Sequence, residues 1–126
     1  MKLAGIDFGS KRVGVAIGDT ETGMAFPRAV IPNDKFLLGE LKKLLVGVDK
    51  IIFGESRNLS GEANRIYNEA DNFKKLLAVE LGVEVVYEPE FYSTYQASRI
   101  QGDHDMIDAS AAAIILQSYL DKNKNK

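Results

Sequence analysis

The sequence predicts an α/β fold in which helices flank a mixed five-stranded sheet of three antiparallel strands followed by parallel ones. Residues 3–17 contain two apolar runs around a glycine-containing turn, which is the pattern of a β-hairpin. From residue 50 onward, the order strand, helix, strand predicts a parallel pair with a right-handed crossover. A chain of 126 residues with 45% hydrophobic and 27% charged residues has the size and composition of one globular domain.

The first three strands are predicted to form an antiparallel meander. The turn of the opening hairpin falls at residues 8–12, and a turn at residues 18–23 leads into a third strand over residues 24–31. Pro27 lies inside this third strand and cannot donate a ladder hydrogen bond. We therefore expect an edge position or a bulge at that point.

Two amphipathic helices are predicted to alternate with the fourth and fifth strands. Pro32-Asn33-Asp34 favours a helix start, and apolar residues then recur every three or four positions. The fourth strand is expected over residues 50–53 and the fifth over residues 83–87. Ser60 suits the N-cap of the second helix and Gly82 its C-terminal stop. The apolar positions of the two helices are Leu37, Leu38, Leu41, Leu44, Leu45 and Val48, then Ala63, Ile66, Tyr67, Ala70, Phe73, Leu76 and Leu77.

The last part of the chain is predicted to be helical. Ser93 and Gln96 have the spacing of a capping box, which favours a short helix. Asp105 suits the N-cap of a final helix that continues to about residue 120. We assign residues 1–121 to a single domain and residues 122–126 to a frayed polar tail.

Composition argues against several classes of protein. The net charge is −2 and the isoelectric point about 5.4, which argues against a protein that coats nucleic acid by charge alone. The chain contains no cysteine, so disulfides and thiolate metal sites are excluded and a reducing cytoplasmic location is expected. Since no apolar run approaches the ~20 residues that span a bilayer, we expect no membrane partner.

Three acidic residues stand where predicted elements begin or end. Asp7 closes the first strand, Glu90 follows the fifth strand, and Asp108 lies in the first turn of the last helix. Each has a structural alternative. Asp7 can be a turn residue, Glu90 an exposed loop acid, and Asp108 a first-turn acid favoured by the helix dipole. Spacing alone leaves open whether the three carboxylates converge.

Four segments also carry a set of motifs in a fixed order. Residues 7–16 read DFGSKRVGVA, residues 52–61 IFGESRNLSG, residues 90–97 EFYSTYQA and residues 108–120 DASAAAIILQSYL. In this order they resemble the YqgF/RuvX family of ribonuclease H-like proteins, whose members are named as candidate Holliday junction resolvases or pre-16S ribosomal RNA nucleases. The resemblance covers nearly the whole chain and implies a ribonuclease H-like fold.

The resemblance implies that Asp7, Glu90 and Asp108 are catalytic residues and ligands of a divalent metal. Carboxylate oxygens are hard ligands that suit Mg²⁺ or Mn²⁺. Glu90 is preferred to the neighbouring Glu88 because of its spacing to the following Ser-Thr pair. With these roles, the expected reaction is metal-dependent hydrolysis of phosphodiester bonds.

The expected partner is therefore nucleic acid, and the expected oligomeric state is a monomer or weak homodimer. The most direct reading is a nuclease for structured RNA that processes the 5′ end of pre-16S ribosomal RNA. Weaker candidates for nucleic-acid contacts through phosphate are Lys11, Arg12, Arg57 and Asn58.

Other functions stay open on the sequence alone. Branched DNA is an alternative substrate, as for a Holliday junction resolvase. Phe91 replaces a family arginine, and the short segment 101–104 replaces a basic loop, which motivates a non-catalytic nucleic-acid or ribosome-assembly binding module. The D-x-G hairpin also occurs in the ATP-binding half of sugar-kinase and actin-like folds, but 126 residues supply only one of their two domains.

Overall fold

The computed structural model describes residues 1–55, 61–89 and 107–123, with the backbone alone at residues 55, 61–67, 89, 107 and 108. Within these ranges the chain forms five strands and three helices. In chain order they are β1 Lys2–Phe8, β2 Arg12–Asp19, β3 Met24–Pro32, α1 Leu37–Leu44, β4 Lys50–Glu55, α2 Gly61–Leu81, β5 Glu84–Pro89 and α3 Ile107–Lys122.

The five strands form one mixed sheet in the order β3-β2-β1-β4-β5. β1 lies at the centre, antiparallel to β2 and parallel to β4. β3 continues the antiparallel half and β5 the parallel half. The predicted meander followed by a parallel pair is therefore confirmed, although β4 and β5 each extend two residues beyond their predicted ends.

The irregularity expected at Pro27 is present in both forms. β3 is an edge strand, and its register against β2 shifts between Val15 and Ala16, whose partners are Ala29 and Pro27. Arg28 of β3 thus lies between Pro27 and Ala29 without a paired residue on β2, as in a β-bulge. A proline is tolerated here because the free side of an edge strand needs no ladder hydrogen bond.

One face of the sheet is covered by α1 and α2. Leu37 and Leu41 of α1 are buried against it, and the apolar pattern continues beyond α1 at Leu45 and Val48. α1 ends at Leu44, earlier than the leucine spacing suggests. The segment after it turns and leads into β4.

α2 ends where the sequence predicted. Gly82 has a φ of +65°, which favours glycine, and its N–H donates to the Ala78 carbonyl oxygen at 3.0 Å. Ala70, Phe73 and Leu77 lie on the core side as expected. Leu76 was also expected there, but it is 42% exposed because it lies at the margin of the apolar stripe.

The opposite face of the sheet carries α3 at close range. A Cβ atom placed on Gly5 of β1 would lie 2.7 Å from the Ala112 carbonyl oxygen and 2.9 Å from the Leu116 Cβ. A Cβ on Gly18 of β2 would lie 3.0 Å from Leu116 Cδ2. The missing side chains let the alanine-rich helix lie directly on the strands, where it contacts Leu3 and its neighbours.

Gln117 ties α3 to the free side of β3. Its Oε1 accepts a hydrogen bond from the Ala25 N–H at 2.9 Å, and its Nε2 donates to the Gly23 carbonyl oxygen at 2.8 Å. One side-chain amide thus satisfies a donor and an acceptor of the edge strand.

Tyr119 ties α3 to β4. The Lys50 ammonium donates to the Tyr119 hydroxyl at 2.8 Å and pairs with Glu84 of β5 at 3.1 Å. The hydrogen bond to Tyr119, followed by that to Glu84, raises the pKa of Lys50. These contacts stabilise the protonated form of Lys50, which lies at the start of β4 beside the start of β5.

Glu88 ties the end of α3 to β5. Its carboxylate is only 4% exposed and accepts hydrogen bonds from Ser118 Oγ at 3.0 Å and from Lys122 Nζ. Lys122 was assigned from the sequence to the frayed tail, yet it is the last residue of α3. Lys122 thus joins the last turn of the helix to the buried Glu88 carboxylate.

Several sequence predictions concern residues outside the described ranges. They are the Ser60 cap, the short helix from Ser93 to Gln96, and the Asp105 cap. None of the helices in the described ranges is long and apolar enough to cross a membrane.

The contact between α3 and the glycine-bearing face can be tested with Gly5→Ala. The added methyl group meets backbone and Cβ atoms, so we expect a loss of about 1–3 kcal/mol in the free energy of unfolding, measured by urea titration. Gly39→Ala in α1 is the matched control. Its Cβ meets no atom within 4 Å, so alanine should stabilise that helix by ~0.5–1 kcal/mol. Equal stability of Gly5→Ala and wild type would contradict the close approach.

Candidate active site at the end of the sheet

Asp7 lies one residue before the end of β1, on the face of the sheet that α3 covers. Side chains alternate along a strand, and Leu3 and Gly5 on the same side both meet α3. Asp7 itself is half-buried. Its carboxylate therefore stands where the apolar interface between sheet and helix gives way to the polar end of the sheet.

Asp7 has glycines beside it on both neighbouring strands. It pairs with Gly14 of β2, and the pairing of Ile6 with Phe53 places Gly54 of β4 next to it on the other side. Residues side by side in a sheet point to the same face, so neither neighbouring position adds a side chain there. Both glycines are buried, and the row leaves the carboxylate unobstructed by β2 and β4 side chains.

The turn that follows Asp7 is tight. The Gly9 N–H donates to the Arg12 carbonyl oxygen at 3.0 Å, which leaves Ser10 and Lys11 as the two central residues. Neither has a positive φ, although two-residue hairpins usually adopt turns that require it. A Cβ on Gly9 would lie only 2.6 Å from the Arg12 oxygen, so glycine is required there. This geometry needs support from outside the hairpin.

Asn33 gives that support from the end of β3. Its backbone N–H donates to the Lys11 carbonyl oxygen at 2.9 Å, and its side-chain Nδ2 donates to the Gly9 carbonyl oxygen at 2.7 Å. The sequence suggested only a helix start at this position. The contact was missed because it joins residues 24 positions apart, and a polar residue before a helix gives no sign of such a partner.

α3 runs away from the Asp7 end of the sheet. Ala112 and Leu116 lie over Gly5, whereas Leu116 and Leu120 lie over Gly18 near the other end of β1. The start of α3 is therefore directed towards the carboxyl end of β1.

This course brings the backbone of Asp108 towards Asp7. Asp108 precedes Ala112 by four residues, a rise of ~6 Å along a helix. Asp7 follows Gly5 by two residues, a rise of ~7 Å along a strand. Both steps lead in the same direction from the contact between Ala112 and Gly5, so the backbones of Asp7 and Asp108 lie towards the same end of the sheet.

Glu88 occupies the same row of the sheet as Asp7. Gly54 lies between them and pairs with Glu88, so the two acidic residues are two strand spacings apart, ~10 Å between Cα atoms. The Glu88 carboxylate is engaged by Ser118 and Lys122. This pairing gives Glu88 a structural role.

The structure thus describes part of the predicted site. Lys11 and Arg12 are exposed at the hairpin turn. Asp108 is described by its backbone, while Glu90, Arg57 and Asn58 lie outside the described residues. Among the side chains that are described, no three of the types His, Cys, Asp and Glu stand together as a metal site.

Residues 1–122 match the family model described as RuvX, a Holliday junction resolvase. Relatives include a candidate pre-16S rRNA nuclease from Burkholderia ambifaria, which is 33% identical over 139 residues, covering 95% of this chain and 89% of that protein. A protein of the same name from Bordetella petrii is 32% identical over 130 residues, covering 94% of each chain.

Similar solved structures share the fold. RuvC from T. thermophilus, solved with a Holliday junction substrate, aligns with a TM-score of 0.66 at 16% identity, covering 99% of this chain and 96% of that one. A hexokinase of the ROK type from Thermus thermophilus aligns at 0.50 and 19% identity, covering 83% of this chain but 39% of its own. The match to RuvC confirms the expected ribonuclease H-like fold.

The support from Asn33 can be tested with Asn33→Ala. Loss of the side-chain hydrogen bond to Gly9 should cost about 1 kcal/mol in unfolding free energy and speed hydrogen exchange of the Gly9 amide. Asn33→Asp should cost more, because a carboxylate cannot donate to the Gly9 carbonyl. Asn72→Ala, at an exposed position of α2, is the control and should not destabilise. An unchanged rate of hydrogen exchange at the Gly9 amide in Asn33→Ala would show that the turn is stable without the Asn33 side chain.

Proposed function

We propose, because this chain belongs to the RuvX family of Holliday junction resolvases, that it is a nuclease whose active site lies at the Asp7 end of the sheet. One observation carries the location of the site. The Asp7 carboxylate is half-buried on the central strand, has glycines on both sides, and lies at the end towards which the start of α3 is directed.

We propose precursor 16S ribosomal RNA as the substrate, with cleavage during processing of its 5′ end. The support is the pair of relatives at 32–33% identity, which are named for this RNA and match the chain over nearly its full length. The description of the family as a Holliday junction resolvase favours branched DNA as the second candidate. Both substrates present phosphodiester bonds in a folded nucleic acid.

The described residues are compatible with a divalent metal. Asp7 offers hard carboxylate oxygens, and Gly14 and Gly54 leave room beside them. We propose that Asp7, Asp108 and Glu90 would hold Mg²⁺ or Mn²⁺, with Glu90 one residue beyond the end of β5. When bound, such an ion would lower the pKa of water and offset negative charge that develops on phosphate oxygens.

The cationic hairpin turn suits the substrate backbone. Lys11 and Arg12 are exposed, and Asn33 fixes the turn that carries them at the same end of the sheet as Asp7. We propose that both side chains neutralise phosphates beside the scissile bond. Arg57 and Asn58, which follow β4 in the sequence, are proposed to contact the substrate as well.

The other readings have less support. The hexokinase match covers 39% of that chain, as expected if the two share one half of a two-domain fold. A binding module without turnover is motivated by Phe91, which replaces a family arginine, and by the short segment 101–104, which replaces a basic loop. We further propose a cytoplasmic protein that acts as a monomer or weak homodimer.

The function is tested by cleavage of labelled pre-16S rRNA and of a four-way DNA junction, each with Mg²⁺, Mn²⁺ or EDTA. We expect metal-dependent cleavage of the RNA, and Asp7→Asn should abolish it while the melting temperature stays near that of wild type, because asparagine keeps the shape of the side chain. Glu21→Gln, in the exposed turn at the opposite end of β2, removes one negative charge and should cleave normally. Normal cleavage by a folded Asp7→Asn protein would remove Asp7 from the site.

Glu90→Gln and Glu88→Gln should have opposite effects. Glu90→Gln is expected to lose nearly all turnover and to bind Mn²⁺ more weakly, with unchanged stability. Glu88→Gln should keep most turnover and lose about 1 kcal/mol of stability, a modest value since the Lys122 side chain is 55% exposed and can be rehydrated. Turnover, calorimetric Mn²⁺ affinity and thermal unfolding are measured for both. An inactive Glu88→Gln beside an active Glu90→Gln would shift the site by two residues.

A further inference from the structure

An exposed aromatic ring stands at the Asp7 end of the sheet, just before α1. The Phe36 side chain is 62% exposed, and Lys35 Nζ lies 5.3 Å from the centre of its ring. We refer to these two residues as the Phe36 platform. Single exposed apolar side chains are common on protein surfaces, so the feature to explain is the position of Phe36 next to cations, and not its exposure.

The platform is connected directly to the cationic hairpin. Pro32 pairs with Arg12, and Asn33 binds the carbonyl oxygens of Lys11 and Gly9. Only Asp34 separates this anchored segment from the platform. Lys35 therefore adds a third cation to the end of the sheet that already carries Lys11 and Arg12.

The platform is also held in place by its backbone. The Asp34 Oδ1 accepts a hydrogen bond from the Phe36 N–H at 2.9 Å, and the Phe36 carbonyl oxygen accepts one from the Glu40 N–H at 3.0 Å. The next residue, Leu37, is 2% exposed and fixes the start of α1 in the core. A backbone that is already fixed loses little conformational freedom when the ring it carries binds a flat partner.

We propose that the Phe36 platform stacks an unpaired base of the nucleic-acid substrate, with Lys35 beside the phosphate of that nucleotide. The inference rests on the proposed nuclease function. Proteins bind unpaired bases on aromatic rings next to cations, whereas a base inside a duplex has no free face. The platform would thus select substrates with a single-stranded segment near the cleaved bond.

Phe26 gives a matched control within the same strand-and-loop region. Its side chain is 58% exposed, but it pairs with Ile17, several residues along the strands from the hairpin turn. If exposure alone made a phenylalanine bind bases, Phe26 would bind them as well. A difference between the two rings must come from the position of Phe36 beside the cations.

The test uses fluorescence, since the chain contains no tryptophan. Phe36→Trp and Phe26→Trp each introduce one fluorophore, and stacking of a base on the indole quenches it. The probes are an RNA hairpin with a single-stranded extension, the same hairpin without it, and their DNA counterparts, all in EDTA. We expect quenching of Phe36→Trp by the extended probes alone and no quenching of Phe26→Trp. Phe36→Ala should bind the extended RNA about ten-fold more weakly and the blunt hairpin as wild type does.

The outcomes separate this inference from the proposed function. Three results would overturn the platform: equal quenching by blunt and extended probes, quenching of Phe26→Trp, or unchanged affinity of Phe36→Ala. Cleavage by the wild-type protein would then still support the proposed function. A wild-type protein that neither binds nor cleaves any probe or the pre-16S rRNA would overturn the nuclease assignment and the platform with it. Quenching by the extended DNA alone would keep the platform and overturn RNA as the substrate.

Discussion

The structure depends on the close approach of α3 to the centre of the sheet. Gly5 and Gly18 have no side chain to separate the helix from the strands, and the Ala112 carbonyl oxygen lies where a side chain on Gly5 would begin. Because atoms in a packed interface cannot overlap, this contact fixes the height and direction of α3. That direction in turn brings Asp108 towards the strand end that carries Asp7. The spacing of the two acidic positions is therefore set by packing, at a distance from the carboxylates themselves.

The polar end of the sheet is organised by a second constraint. The hairpin turn after Asp7 has an unfavourable backbone for its length, and Asn33 stabilises it through two carbonyl oxygens. The same contact joins the hairpin to the segment that leads into α1. The turn that carries the cations and the segment that carries the aromatic ring before α1 are thus joined through one residue.

Much of the fold could be predicted because its signals are local. Apolar runs around a glycine-containing turn predicted the hairpin of β1 and β2, and glycine marked the end of α2. The polar cross-links were not predictable. Gln117 binds Gly23, which is 94 residues away in the sequence, and Lys122 binds Glu88, which is 34 residues away. Nothing in the sequence around Gln117 or Lys122 indicates these partners. The site follows the same division. The position of Asp7 at a strand end was predictable from the residues around it, whereas its position relative to Asp108 depends on the tertiary contact of α3.

The edge of β3 has a consequence for association between molecules. An uncovered strand normally acts as a template onto which a strand of another molecule can be added, and repeated addition produces aggregates. Here the outward groups at residues 23 and 25 are occupied by Gln117, and Pro27 has no N–H to offer further along. The helix that shapes the candidate site therefore also covers the beginning of this edge, and fewer open donors and acceptors remain there for a strand of another molecule.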